Sequence, residues 1–176
     1  PVNIDEESKV NILKQGWNHS WNNEVQSGYW IGRDHKPFTE VKVVKSINPE
    51  DDTYLEECAS GEPGHCITRG ENIMKAYVGN EDATKDVFAD GWYTGLGDII
   101  YYLENKDGER DLFWQSRISN LLIRGGSNYS CEYIGQLVQA YLQDIYNLAK
   151  EDYDLAVTGL RLNSEHEDEC CVVLDL

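Results

Sequence analysis

Positive charge is what this chain has least of. Its 15 Lys and Arg stand against 32 Asp and Glu, giving a formal net charge of -17. Phosphate backbones and anionic lipid surfaces need a basic footprint, so nucleic-acid binding and membrane-surface docking are excluded as functions. Long hydrophobic runs are missing as well. None approaches the roughly 20 residues that cross a bilayer, and no transmembrane segment is expected. The first residue is Pro1 rather than Met, and no signal-like stretch follows. The chain is therefore expected to start at a processing site or a segment boundary. The cysteines number five, Cys58, Cys66, Cys131, Cys170 and Cys171, with no CxxC pair. The four His are scattered singly, which leaves no metal-ligand spacing and no catalytic cluster. Reduced, structural thiols in a reducing compartment are expected, either the cytosol or an organelle interior such as a stroma or matrix. Aromatics are not scarce: 5 Trp, 11 Tyr and 3 Phe in a chain that is 40% hydrophobic are enough to fill a core.

Residues 1–28 are polar, with Trp17, Trp21 and Val25 spaced i, i+4, i+8. That spacing predicts one helical apolar face, an N-terminal arm whose Trp17 and Trp21 dock on the body of the chain or on a partner. Residues 29–115 read as short strands and tight turns. Phe38–Ile47 alternates as a half-buried strand. His65–Arg69 is a second strand, and Glu81–Phe88 a short helix. Ile99–Glu104 and Arg110–Trp114 flank Lys106-Asp107-Gly108, a strong hairpin turn. Residues 121–176 run strand, helix, strand, strand, with helical periodicity from Cys131 to Asp144. The expected fold is α+β. It consists of a β-rich, barrel-like lobe over 29–115, a hinge at 116–120, and a small, truncated α/β unit at 121–176 resembling a lid.

One stretch stands out, Asp90-Gly-Trp-Tyr-Thr-Gly-Leu-Gly-Asp98, a glycine-rich turn that delivers a carboxylate to the start of a strand. With it go Gly61-Glu-Pro-Gly-His-Cys-Ile-Thr-Arg-Gly70, Glu71-Asn-Ile-Met-Lys-Ala-Tyr-Val-Gly-Asn-Glu-Asp-Ala-Thr84 and Ser116-Arg-Ile-Ser-Asn-Leu-Leu-Ile-Arg-Gly-Gly-Ser-Asn128. In this order and at these separations, the four resemble the adenylate-forming superfamily of acyl- and aryl-CoA synthetases, luciferases and peptide-synthetase adenylation domains. The likeness runs from about Tyr29 to Leu176. It implies that Asp98 binds the ribose hydroxyls of an adenylate, since a carboxylate can accept two hydroxyl hydrogen bonds. It also implies that Arg117 contacts the nucleotide and that Asn120 is the pivot of a mobile lid.

Several family features have no counterpart. Thr94-Gly95-Leu96-Gly97-Asp98 is two residues longer than the family's Thr-Gly-Asp, worth up to about 7 Å of extended chain. Ser116 and Asn120 replace Gly and Asp in the hinge. Neither the phosphate loop nor the magnesium-binding motif is found, and the family's catalytic lysine would lie beyond Leu176. Lys150 reads as a solvated charge at a helix end. The expectation drawn from this is a non-catalytic remnant, with no cofactor and no metal, acting as an interaction subunit with protein partners in a larger assembly. The alternative is a C-terminal fragment of an ATP-dependent acyl-CoA synthetase-like ligase whose ATP-binding part is supplied elsewhere, with ATP or AMP as its ligand. A third reading is small-molecule binding by the β lobe through Asp98, Arg117 and Arg124.

Overall fold

The computed structural model describes residues 4–125, 127–163 and 167–175. The chain divides into two compact units, Pro1–Gln115 and Ser116–Leu176.

In the first unit, helix α1 spans Glu6–Trp17 and starts where the Asp5 side chain accepts the Ser8 backbone N–H at 2.8 Å. A hairpin of β1 (Ser20–Trp21) and β2 (Glu24–Val25) follows. Its turn is Asn22-Asn23, both left-handed at φ 51° and 66°. This corrects the expected helical face. Trp17 ends the helix, whereas Trp21 and Val25 lie on paired strands, so their i, i+4 spacing is coincidental. The hairpin leads into β3 (Tyr29–Gly32), β4 (Thr39–Val44) and β5 (Gly64–Gly70), then α2 (Glu81–Lys85), β6 (Phe88–Ala89), β7 (Trp92–Tyr93), β8 (Asp98–Glu104) and β9 (Arg110–Arg117).

Strands β3 to β9 form a seven-stranded sheet in the order β3-β9-β8-β5-β7-β6, with β4 on the other side of β5. Strand β8 is an almost unbroken apolar run, and Ile99–Tyr102 are buried. One of its faces packs Ile100 and Tyr102 with Val43, Cys58, Cys66 and Leu112. On the other, Tyr101 stacks on Phe113 at 5.1 Å, and its hydroxyl donates to the Gly16 carbonyl of α1 at 2.8 Å. The β8–β9 turn is held by the Asn105 side-chain oxygen, which accepts the Asp107 and Glu109 N–H groups at 2.9 and 3.0 Å. A buried ion pair, Arg33 Nε to Asp111 at 2.7 Å, ties the end of β3 to β9.

The second unit holds two hairpins and a helix. Strands β10 (Leu121–Arg124) and β11 (Ser127–Ser130) pair antiparallel, as do β12 (Asp154–Leu160) and β13 (Glu169–Asp175). Between the hairpins lies α3 (Cys131–Tyr146), capped at its start by the Ser130 hydroxyl accepting the Tyr133 N–H. It ends on Asn147 in the left-handed region at φ 53°. The fold is α+β, as expected, and β11 is a strand that sequence pattern did not reveal. No helix among the described residues is long and apolar enough to cross a membrane.

Candidate functional site

The Asp90–Asp98 stretch is built as a small hairpin followed by a turn. Strands β6 and β7 meet at Asp90-Gly91, both left-handed at φ 49° and 79°. Rings of Phe88 and Tyr93 pack across the pair at 5.4 Å. The Thr94 N–H returns to the Val87 carbonyl at 2.8 Å, which closes the loop. Leu96 then turns inward against the core cluster of Val43, Cys66, Ile100 and Leu112. Gly97, at φ 71°, reverses the chain so that Asp98 opens β8. The register beyond it is regular, Ile99 against His65 and Ile100 against Gly64. The turn leaves the strand's pairing intact.

Asp98 is half-buried and shares the Ile100 and Tyr102 face of β8, because strand side chains alternate. On the neighbouring strand β9, Trp114 projects to that face and packs on the same core cluster as Leu96. Its indole Nε1–H donates to Asp98 Oδ1 at 3.1 Å. Tyr29 of β3 lies on the other side of the indole at 6.2 Å between ring centroids. The Cys66 thiol is pushed up to about 12, first by burial and then by the negative charge of Asp98. It is therefore an inert core thiol and no nucleophile. Trp114 was not singled out from sequence, and Leu96 only as part of the lengthened turn. The available signal was an indole N–H on a strand next to an acid-bearing one, since a buried Trp donor needs an acceptor.

Arg117 and Asn120 belong to the second unit. Arg117 is exposed and ends β9 just before a 3-10 turn, Ile118–Asn120. The Asn120 side-chain amide donates to Glu132 Oε1 at 2.8 Å. The other oxygen of Glu132 accepts the Ser116 and Ser130 hydroxyls at 3.1 and 2.9 Å. Glu132, in the first turn of α3, thus gathers the expected hinge into one network, a role that sequence pattern did not indicate. Arg124 forms an ion pair with Glu169 at 2.6 Å and donates to the Asp168 carbonyl, which gives it a structural function within this unit.

Trp17 is 44% exposed and meets Tyr29 edge-on at 6.1 Å, while Trp21 is partly buried in the β1–β2 hairpin. Among the described residues no group of His, Cys, Asp and Glu could hold a metal ion. A groove of about 650 Å³ in the first unit has Trp92 along its wall, with Arg69 and Lys42 over the ring at 4.5 and 5.1 Å. Its arginines are matched to acids, Arg69 with Glu40 and Arg110 with Glu57.

No family model matches the chain. Individual relatives do. The 2-succinylbenzoate–CoA ligase of Bacillus licheniformis is 43% identical over 72 residues, covering 41% of this chain and 14% of the ligase. A feruloyl-CoA synthase from an Amycolatopsis species is 34% identical over 73 residues, covering 42% of this chain and 14% of the synthase. Among solved structures, the o-succinylbenzoate CoA synthetase of Bacillus subtilis in complex with its acyl-adenylate intermediate is 26% identical, with a TM-score of 0.53. The match covers 77% of this chain and 24% of that enzyme. The chain is similar to proteins of the AMP-binding, adenylate-forming superfamily over the part that these matches cover. It corresponds to the C-terminal portion of these adenylate-forming proteins and spans about a quarter of the solved structures it matches. ATP-bound MatB from Rhodopseudomonas palustris shares the fold at a TM-score of 0.60 and 20% identity, over 88% of this chain and 26% of its own.

Proposed function

We propose that the chain carries the adenylate-binding end of an acyl-CoA ligase. In such a reaction a carboxylate attacks the α-phosphate of ATP and pyrophosphate leaves. The acyl-adenylate then passes its acyl group to a thiol and AMP is released. Asp98 accepts the ribose hydroxyls, Arg117 contacts the nucleotide, and Asn120 is the pivot about which the second unit turns between the two half-reactions. The triphosphate and its metal are held by parts of the fold that this chain does not cover. The carrying observation is that the Asp98 carboxylate stands at the head of β8 with one oxygen bonded to Trp114. A carboxylate fixed by a neutral donor keeps its charge and its direction, and both favour hydroxyl recognition.

Calorimetric titration with AMP, and with a non-hydrolysable acyl-sulfamoyl adenosine, tests this reading. The expected result is binding by the wild-type chain that weakens roughly 10- to 100-fold in Asp98→Ala, the size of losing hydrogen bonds to a charged group. The non-catalytic interaction subunit, the first function expected from sequence, draws on the apolar residues that α3 and β13 expose: Leu137, Tyr141, Ile145 and Val173. That function requires no AMP binding, so the absence of heat at millimolar nucleotide would favour it and sink the ligase reading.

A further inference from the structure

We infer that Trp114 is the positioning residue for Asp98, and that it sets this chain's discrimination for a ribose carrying both hydroxyls. The inference rests on the adenylate-binding reading above. A flexible aspartate at a strand end samples several rotamers, and ordering it on binding costs free energy. Here one oxygen of Asp98 is already engaged by the Trp114 indole at 3.1 Å. The indole has little freedom of its own. One side packs on the Val43–Leu112 core cluster and the other faces Tyr29. Leu96, in the turn that precedes β8, packs on the same cluster one residue before the Gly97 reversal. The turn thus braces the loop through Leu96 while the indole holds the carboxylate. A donor of this kind orients an acceptor pair without neutralising it, as supporting hydrogen bonds do for any recognition group. Trp114 does not touch the ribose. It acts through Asp98, so its removal blurs the preference for the two hydroxyls more than it lowers affinity for the base and phosphate.

The test is an NMR titration of the full chain with AMP and with 2′,3′-dideoxy-AMP, which lacks both hydroxyls. The Trp114 indole N–H signal, assigned by its loss in Trp114→Phe, reports directly on the bond. In the wild type, AMP is expected to bind roughly 10-fold more tightly than the dideoxy nucleotide and to shift the indole signal. In Trp114→Phe the preference is expected to fall to about 3-fold or less. Should that variant not fold, β-(3-benzothienyl)alanine at position 114 keeps the ring's shape and removes only the N–H. A wild type that discriminates, with a donor-free variant that discriminates equally well, would overturn the role of Trp114 and leave the reading of Asp98 standing. A wild type that binds both nucleotides equally, or neither, would overturn both.

Discussion

His65 shows how a single side chain sets a pH limit on the fold. It lies on β5 between Val44 and Ile99, and its Nδ1 is buried with no hydrogen-bond partner among the described residues. Burial pushes its pKa below 6.5, and the charge of Asp51 opposes this more weakly. The folded protein therefore holds a neutral imidazole, whereas the unfolded chain takes up a proton near 6.5. Above that value neither state is protonated and the fold keeps its full stability. As pH falls from about 6.5 through the lower folded value, the unfolded state gains protons first and stability is lost. The expected outcome is a fall in the urea midpoint between about pH 7 and pH 5.5 that is smaller in His65→Gln, whose side chain does not titrate. Equal falls in the two proteins would assign the acid sensitivity to other groups. Cys58 offers no such lever, because burial pushes its thiol up to about 12, outside the range of ordinary handling.

Helix α1 is fastened to the sheet at the level of a whole element, and the fastening passes through one glycine. The Gly16 carbonyl accepts the Tyr101 hydroxyl and the Gly28 N–H at 2.8 and 2.9 Å. A Cβ there would stand 2.7 Å from the Gly28 carbonyl oxygen and drive into the Phe113 ring, which is wholly buried. In an exposed helix, Gly→Ala gains about 1 kcal/mol from helix propensity. Here the overlap with backbone and core outweighs that gain, and Gly16→Ala is expected to lose about 1–3 kcal/mol in chemical denaturation. A stabilised variant would show that α1 is not seated this way. Sequence pattern revealed the long elements: β8 as an apolar run, β9 as the second arm of the hairpin turned at Asp107-Gly108, and α3 by its helical spacing. It failed where elements are two residues long. The β1–β2 and β6–β7 hairpins are set by left-handed turn residues, Asn22-Asn23 and Asp90-Gly91, rather than by any periodicity. The position of Asp98 was legible because the turn chemistry around it is local. Its bond to Trp114 was not, since it depends on which residues β8 and β9 bring side by side, 16 positions apart in sequence.

Charge and apolar surface divide the work across the whole molecule. A net charge of -17 keeps chains apart in solution, so exposed apolar groups do not by themselves cause association. The second unit carries many such groups. Leu137, Tyr141 and Ile145 recur at i, i+4, i+8 along α3 and are each more than half exposed, at 53%, 56% and 57%. Helical geometry places them in a single stripe. Val172 and Leu174 on β13 are exposed as well, at 46% and 38%. A stripe of this kind binds an apolar dye, and since it contributes little to the unit's own packing it can be altered without unfolding. In Leu137→Glu/Tyr141→Glu, fluorescence of 8-anilinonaphthalene-1-sulfonate is therefore expected to drop, while the urea midpoint changes by no more than the equivalent of about 0.5 kcal/mol per site. Loss of cooperative unfolding in this double variant would mean that the stripe is part of the core, and unchanged dye binding would place the accessible apolar surface elsewhere. Both readouts come from the intact chain, so the result bears on the stripe alone and leaves the nucleotide test at Asp98 untouched.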